Sequence, residues 1–310
     1  MATAERDRFV TTASTVSVVI PTCNRSTQTQ AAVDSALAQT FRPCEVIVVD
    51  DGSAKPVSIS CPGVRVLRHR ERRGAAAARN TGIDAATGAW VPFLDSDDRW
   101  RADKLERQFA RLGPLSREGA LCCCNVLVFH SRGEAGRPHN SKAPSGDLSE
   151  WILVHGNTAQ TSGIMLPTAA ARRIRFDESL ERHEDWDFFL RAAAEGLAIS
   201  YVGDPLVLFD NSARPDRISS GAAPVDVLNW IDRSAGGSLV SARARHDLLC
   251  MLVVAPGFRA RPVAAFRSIA VGILRGRLRP GMTMRWLARS LIRRRQRRRG
   301  TPMRGEKRVQ

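Results

Sequence analysis

The chain has 310 residues, 43% hydrophobic and 25% charged, with a net charge of +16. Residues 243–310 hold 19 Lys or Arg against 2 Asp or Glu, a net of +17, which leaves 28 basic and 29 acidic residues, a net of −1, before them. The high pI therefore describes the tail and says little about what the body binds. The length suits one large domain or one domain with an appendage. The longest apolar run, Leu248–Ala255, is far short of a membrane span of roughly 20 residues. There are seven cysteines and no CxxC pair, so a zinc site is not expected. Met1–Ser14 is polar and carries no secretory segment. Free thiols without such a segment point to a reducing cytosol.

In chain order, residues 1–14 are expected to be disordered. Val16–Pro21 reads as a first strand stopped by its proline, and Ser26 as the cap of a helix carrying Ala32, Val33, Ala36 and Leu37. Glu45–Val49 is a second apolar strand, ending in Asp50-Asp51-Gly52-Ser53. Val64–Leu67 is a third. Gly74–Ala86 reads as a helix and Trp90–Leu94 as the fourth strand. Short, uniformly apolar strands alternating with helices indicate a mostly parallel sheet covered on both faces. Ligands of such sheets bind at the carboxyl ends of the strands. That places Pro21-Thr22, Asp50-Asp51 and Asp95–Asp97 on one rim. No G-x-G-x-x-G and no P-loop is present, so phosphate must be held another way.

The fourth strand ends in Phe93-Leu94-Asp95-Ser96-Asp97-Asp98, three carboxylates within four residues. They repel one another and are best explained with a hard divalent cation between them, Mg2+ or Mn2+. One of them could instead cap the next helix, but Asp103-Lys104-Leu105-Glu106 fits a D-x-x-E box there. Arg79 lies in an alanine-rich helix; it could fork onto a diphosphate or be a solvated helix residue.

Leu121–Phe129, with Cys122–Cys124, reads as a buried strand and Ser131–Gly146 as a long loop that shapes a site. Trp151–Leu153 starts a short helix, and Thr161–Leu166 looks like a strand. In His183–Arg191, Trp186, Phe189, Leu190 and Ala193 form an inward stripe. Asp187, Arg191 and Glu195 form a paired solvent face. Glu184 and Asp185 either complement the helix dipole or supply a general base on the rim.

Together these segments resemble family 2 glycosyltransferases, inverting nucleotide-sugar enzymes of the type A fold. The match runs from about Val16 to Phe209. It rests on Val-Val-Ile-Pro-Thr-Cys-Asn-Arg (18–25), Val-Val-Asp-Asp-Gly-Ser (48–53), Ala-Arg-Asn-Thr-Gly-Ile (78–83), Phe-Leu-Asp-Ser-Asp-Asp (93–98) and Glu-Asp-Trp-Asp (184–187). The resemblance implies an α/β catalytic domain over 15–211, with a nucleotide-binding half at 15–100 and an acceptor half at 101–211. It implies that Pro21, Thr22, Asn24, Asp50 and Asp51 surround the nucleotide and that Arg79 sits near the base or diphosphate. Asp95 and Asp97 become the metal-binding D-x-D pair, Asp97 the direct ligand and Asp95 nearer the ribose. Asp185 becomes the catalytic base with Glu184 beside it. Many relatives carry an aromatic residue where Cys23 stands; a cysteine cannot stack on a base. The implied partners are a UDP-sugar and a glycan or lipid-linked glycan acceptor. Transfer to polyprenyl phosphate is the alternative within this chemistry. A non-catalytic protein associated with nucleic acid or membrane is the alternative outside it.

Residues 212–300 read as a basic helical region and 301–310 as a disordered tail. Val263, Phe266, Ala270, Ile273 and Leu274 form one apolar face, and Met284, Leu287 and Leu291 another; Arg285, Arg289, Arg293 and Arg297 recur at every fourth position. Such helices can lie in an anionic membrane interface. Residues 261–299 are accordingly expected to hold the cytoplasmic protein to the inner face of the cell membrane. A helical protein partner is the alternative. Nucleic acid is not expected, since no recognised module surrounds Arg293–Arg299.

Overall fold

The computed structural model describes residues 15–113, 119–129, 136–180 and 182–210, then Trp230, residues 239–249 and positions 274, 280, 281 and 284. The chain divides into two compact units, residues 1–239 and 240–310.

The first unit is built on strands β1 (Ser17–Thr22), β2 (Glu45–Asp50) and β3 (Val64–Arg68), which pair in parallel in the order β1-β2-β3. Every residue of β1 and β2 is buried. β4 (Trp90–Pro92) joins β1 through parallel bridges at Val16–Trp90 and Val19–Phe93. The other half is mixed. β8 (Met165–Pro167) runs antiparallel to β4 and to β6 (Ala120–Phe129). β9 (Ala198–Asp210) is parallel to β6, and β5 (Arg99–Trp100) is antiparallel to β9. β7 (Arg137–Pro138) adds to β6.

The helices are α1 (Ser26–Leu37), α2 (Ala75–Ala85), α3 (Lys104–Leu112), α4 (Leu148–Leu153), α5 (Thr168–Ile174), α6 (Glu184–Ala194) and, in the second unit, α7 (Ala242–Leu249). The alanines of α2 serve close packing: a Cβ on Gly82 would stand 2.3 Å from Val19 Cγ1. One apolar core joins β1, β2, β4, β6 and β9 through residues such as Val18, Ile20, Val48, Leu94, Cys122 and Leu206. Burying each large aliphatic side chain contributes roughly 1.5–3 kcal/mol. A second set of rings, Phe93, Phe176 and Phe188, stacks behind the rim, with Phe176 and Phe188 4.1 Å apart.

Several local expectations are corrected. Pro21 does not stop β1; it pairs with Val49, because proline loses only its N–H and keeps its carbonyl. Ser26 is the first helical residue, not a cap, and the N-cap Arg25 makes no side-chain capping bond. The Asp103–Glu106 box does not form: Asp103 binds Arg101 and Arg107, and Glu106 accepts from Thr40 Oγ1 at 2.6 Å. Thr161–Gly163 is a 3₁₀ turn, so the strand there is only Met165–Pro167. On α6 the buried face is Asp187–Leu190 and Ala192, with Trp186 only partly covered. Asp187 is not solvated: it accepts from Arg191 at 2.6 Å and from Trp230 Nε1 at 3.3 Å, while Glu195 pairs with Arg173.

Candidate active site

The carboxyl ends of β1, β2 and β4 lie side by side, so three loops meet on one rim. Leu94 N–H donates to the Val19 carbonyl and Asp51 N–H to the Thr22 carbonyl. Thr22 is buried and its hydroxyl meets that of Thr29 at 2.7 Å. Asn24 takes a left-handed backbone with φ 56. Its side-chain oxygen accepts from Ala54 N, and its own N–H donates to Ser53 Oγ at 2.8 Å, which links the first two loops.

The two aspartates at the end of β2, Asp50 within it and Asp51 just after, serve the rim from inside. Asp50 is fully buried and accepts from Ser53 N, Val57 N and Arg68. Burial pushes its pKa up, but hydrogen bonds from Ser53 and Val57 and the charge of Arg68 hold it below the ordinary value. Asp51 Oδ1 accepts from Arg73 N and pairs with His69 Nδ1, both at 2.8 Å; Oδ2 accepts from Gly74 N at 2.8 Å. The carboxylate thus shapes the wall formed by residues 69–74. Gly52, at φ +68, lets that wall close in, since a Cβ there would lie 2.6 Å from Arg72 N.

Beyond β4 the acidic cluster is shared out. Asp95 Oδ1 accepts from Arg79 Nη2 at 2.6 Å, and Asp97 Oδ2 accepts from Arg25 Nη1 at 3.0 Å. Asp98 is buried and accepts from Ser162 Oγ at 2.6 Å and Gln160 Nε2 at 2.8 Å. Burial, then the charges of Asp95 and Asp97, push the Asp98 carboxyl well up. Among the described residues no three His, Cys, Asp or Glu side chains form a ready metal cage. The residues nonetheless fit a cation of the Mg2+ type, which is commonly held by one or two carboxylates and completed by substrate phosphates. Asp97 already attracts a positive charge, that of the Arg25 guanidinium. Arg79 Nε and Gln160 Oε1, on either side of Asp95, are buried without a hydrogen-bond partner. A buried polar atom without a partner calls for an explanation, and a bound ion or water is one.

Arg79 is not a solvated helix residue; it is 4% exposed. Its Nη1 donates to Glu184 Oε1 at 3.0 Å, and its Cζ lies 5.2 Å from the Phe176 ring centroid. Burial opposes its charge, but Asp95 and Glu184 outweigh that and keep it protonated. One guanidinium therefore joins the loop after β4 to the first turn of α6. Asp185 opens α6 next to Glu184, partly open to solvent, with Oδ1 accepting from Trp186 N at 2.8 Å. Burial first, then the Glu184 charge, raise its pKa to about 7, against the lowering by the Trp186 amide and Arg79.

The rim thus brings together Thr22, Asn24, Asp51, Arg79, Asp95, Asp97, Glu184 and Asp185, with Pro21 and Asp50 as buried supports. Sequence reasoning missed Arg25, His69, Gln160 and Ser162. Gln160 lies 62 residues from Asp98 in a stretch with no local pattern, so no signal marked it. Arg25 stood inside a quoted motif, and only its partner was unforeseeable.

The family model described as Glycosyl transferase family 2 matches residues 17–180. The chain is 30% identical over 230 residues to the amylovoran biosynthesis glycosyltransferase AmsB of Erwinia amylovora, covering 70% of this chain and 76% of that protein. It is 32% identical over 195 residues to the succinoglycan biosynthesis protein ExoO of Rhizobium meliloti (strain 1021), covering 58% of this chain and 56% of that one. Among solved structures, S. aureus TarS 1-349 in complex with UDP-GlcNAc shares the fold, with a TM-score of 0.59 at 22% identity over 81% of this chain and 75% of that one.

Proposed function

Because the chain belongs to glycosyl transferase family 2, we propose that it moves a sugar from a nucleoside-diphosphate donor to a hydroxyl of a glycan or glycolipid, with inversion. The observation that carries this reading is the double bridge of Arg79, 2.6 Å from Asp95 and 3.0 Å from Glu184. It sets a carboxylate suited to the donor beside a carboxylate pair suited to the acceptor.

In this reading Asp185 is the base. Its Oδ1 is held by the Trp186 amide, and Oδ2 takes the acceptor proton as the acceptor oxygen attacks the anomeric carbon. The bond to the diphosphate breaks on the opposite face, so the centre inverts. A base with a pKa of about 7 is poised for this near neutrality. Asp97, with Asp95, would hold Mg2+ or Mn2+, which supplies charge stabilisation to the leaving diphosphate. Asn24, Asp51 and the wall at 69–74 shape the nucleotide side.

A UDP-sugar is the first donor to test, since TarS is described with UDP-GlcNAc and with UDP. The names of AmsB and ExoO favour a polysaccharide acceptor. No helix among the described residues is long and apolar enough to cross a membrane. A peripheral association is part of the proposal because Leu274 and Met284, which the sequence pattern assigns to two apolar stripes, are 85% and 67% exposed; the other residues of those stripes lie outside the described residues.

The test is a donor screen with lipid-linked acceptors, read by product mass spectrometry. Transfer should be abolished by EDTA and restored by Mn2+. Full turnover by a protein lacking both Asp95 and Asp97 would overturn the reading.

A further inference from the structure

We propose that Arg25 is an exchangeable counter-charge of the donor site. It pairs with Asp97 and moves to the donor's diphosphate when a divalent cation takes that carboxylate. The inference rests on the cation reading above and adds a residue that the sequence motifs did not assign.

The pair is direct and sheltered. Arg25 Nη1 lies 3.0 Å from Asp97 Oδ2, and the two side chains are 18% and 19% exposed. The residues are 72 apart in sequence and come from two different rim loops. The backbone of Arg25 is held firmly. Thr29 donates to its carbonyl from both N, at 2.8 Å, and Oγ1, at 2.7 Å. The preceding residue, Asn24, is tied to Ser53 and Ala54. Exchange therefore requires motion of the side chain alone.

The distribution of charge favours the exchange. Asp95 is already paired with Arg79, and Asp98 is satisfied by the neutral Ser162 and Gln160. Asp97 has Arg25. A divalent cation on Asp97 would stand within a few ångströms of that guanidinium, and like charges at such range repel strongly in a sheltered site. The same cation brings a diphosphate, and a planar guanidinium forks onto phosphate oxygens well. So Arg25 disfavours the bare cation and favours the cation with its nucleotide. The site then fills more readily when the donor arrives with its metal.

These two effects have opposite signs, which a merely structural residue would not produce. Mn2+ binding without nucleotide is measured by electron paramagnetic resonance of the free ion. Nucleotide binding in saturating Mn2+ is measured by calorimetry, with whichever of UDP, GDP and dTDP the wild type binds best. Arg25→Gln should bind bare Mn2+ about three- to tenfold more tightly and the nucleotide about three- to tenfold more weakly, the scale of a partly sheltered ion pair. Arg25→Lys, which keeps the charge but not the fork, should stay near the wild type for bare Mn2+ and recover only part of the nucleotide binding. If Arg25→Gln does not fold, Arg25→Met, which keeps the aliphatic stem, takes its place. Unchanged or weakened Mn2+ binding in the charge-removing variant, with Asp97→Asn abolishing it, overturns the exchange alone. Wild-type Mn2+ binding by Asp97→Asn, or no nucleotide bound by the wild type, overturns the cation and donor reading and the exchange with it.

Discussion

Arg79 Nη1 stands 3.0 Å from Glu184 Oε1, joining α2 to the first turn of α6 across 105 residues of chain. The same side chain holds Asp95 at 2.6 Å, so its removal strands two sheltered carboxylates at once. Arg79→Ala should cost about 3–5 kcal/mol of stability, the scale of breaking a buried ion pair. Arg79→Lys cannot span both carboxylates with one compact charge, so it should recover part of the stability and little of the transfer rate. Thermal unfolding and a transfer assay on the two variants check this.

The pH dependence of transfer should follow Asp185. A base must be unprotonated, so the wild-type rate should rise as pH rises through about 7. Glu184 raises that carboxyl's pKa and Arg79 lowers it. Glu184→Gln should therefore shift the acid limb to lower pH. Asp185→Asn should bind donor normally and lose about 10²–10⁴-fold in transfer to a hydroxyl. An unchanged rate would point to an acceptor that is already an anion, such as a polyprenyl phosphate.

Stability gives an independent check on the same group. Folded Asp185 keeps its proton up to about 7, whereas an unfolded aspartate loses it near 3.8. Across that window the native state binds more protons, so its stability falls as pH rises. Asp185→Asn should melt above the wild type at pH 8, and the gap should close near pH 4.

Lys104 carries an unexpected internal charge. It is fully buried, donates to Gln108 Oε1 at 2.7 Å, and places Nζ 4.1 Å from the Trp100 ring centroid. Burial lowers its pKa from 10.5 to about 8, on the order of 3 kcal/mol against the charged form. Between those values the unfolded chain binds more protons, so the fold gains stability as pH rises. Lys104→Met should raise the melting temperature at pH 7, with the advantage shrinking towards pH 10.5. Calorimetric melts at the two pH values decide it.

For the tail, deletion of residues 280–310 should weaken sedimentation with anionic vesicles and leave binding to neutral ones unchanged. Equal sedimentation of the truncated and full chains would sink the membrane association.

The sequence by itself determined the sheet's first half and the chemical character of the rim. Apolar runs of strand length, a carboxylate cluster after one strand and Glu184-Asp185 at a helix start are local patterns, and hydrophobic periodicity reads local patterns well. The tertiary structure decided which side chains pair. Asp50 and Asp51 share one motif, yet Asp50 is clamped by Arg68 while Asp51 holds the 69–74 wall. Asp187 looked solvated at helical spacing and proved buried against Arg191 and Trp230. Arg25 finds Asp97, and Gln160 finds Asp98, because loops distant in the chain are delivered to the same rim. Which backbone segments adjoin is settled by the packing of the whole sheet, and a polar atom's partner depends on that adjacency rather than on its neighbours in sequence.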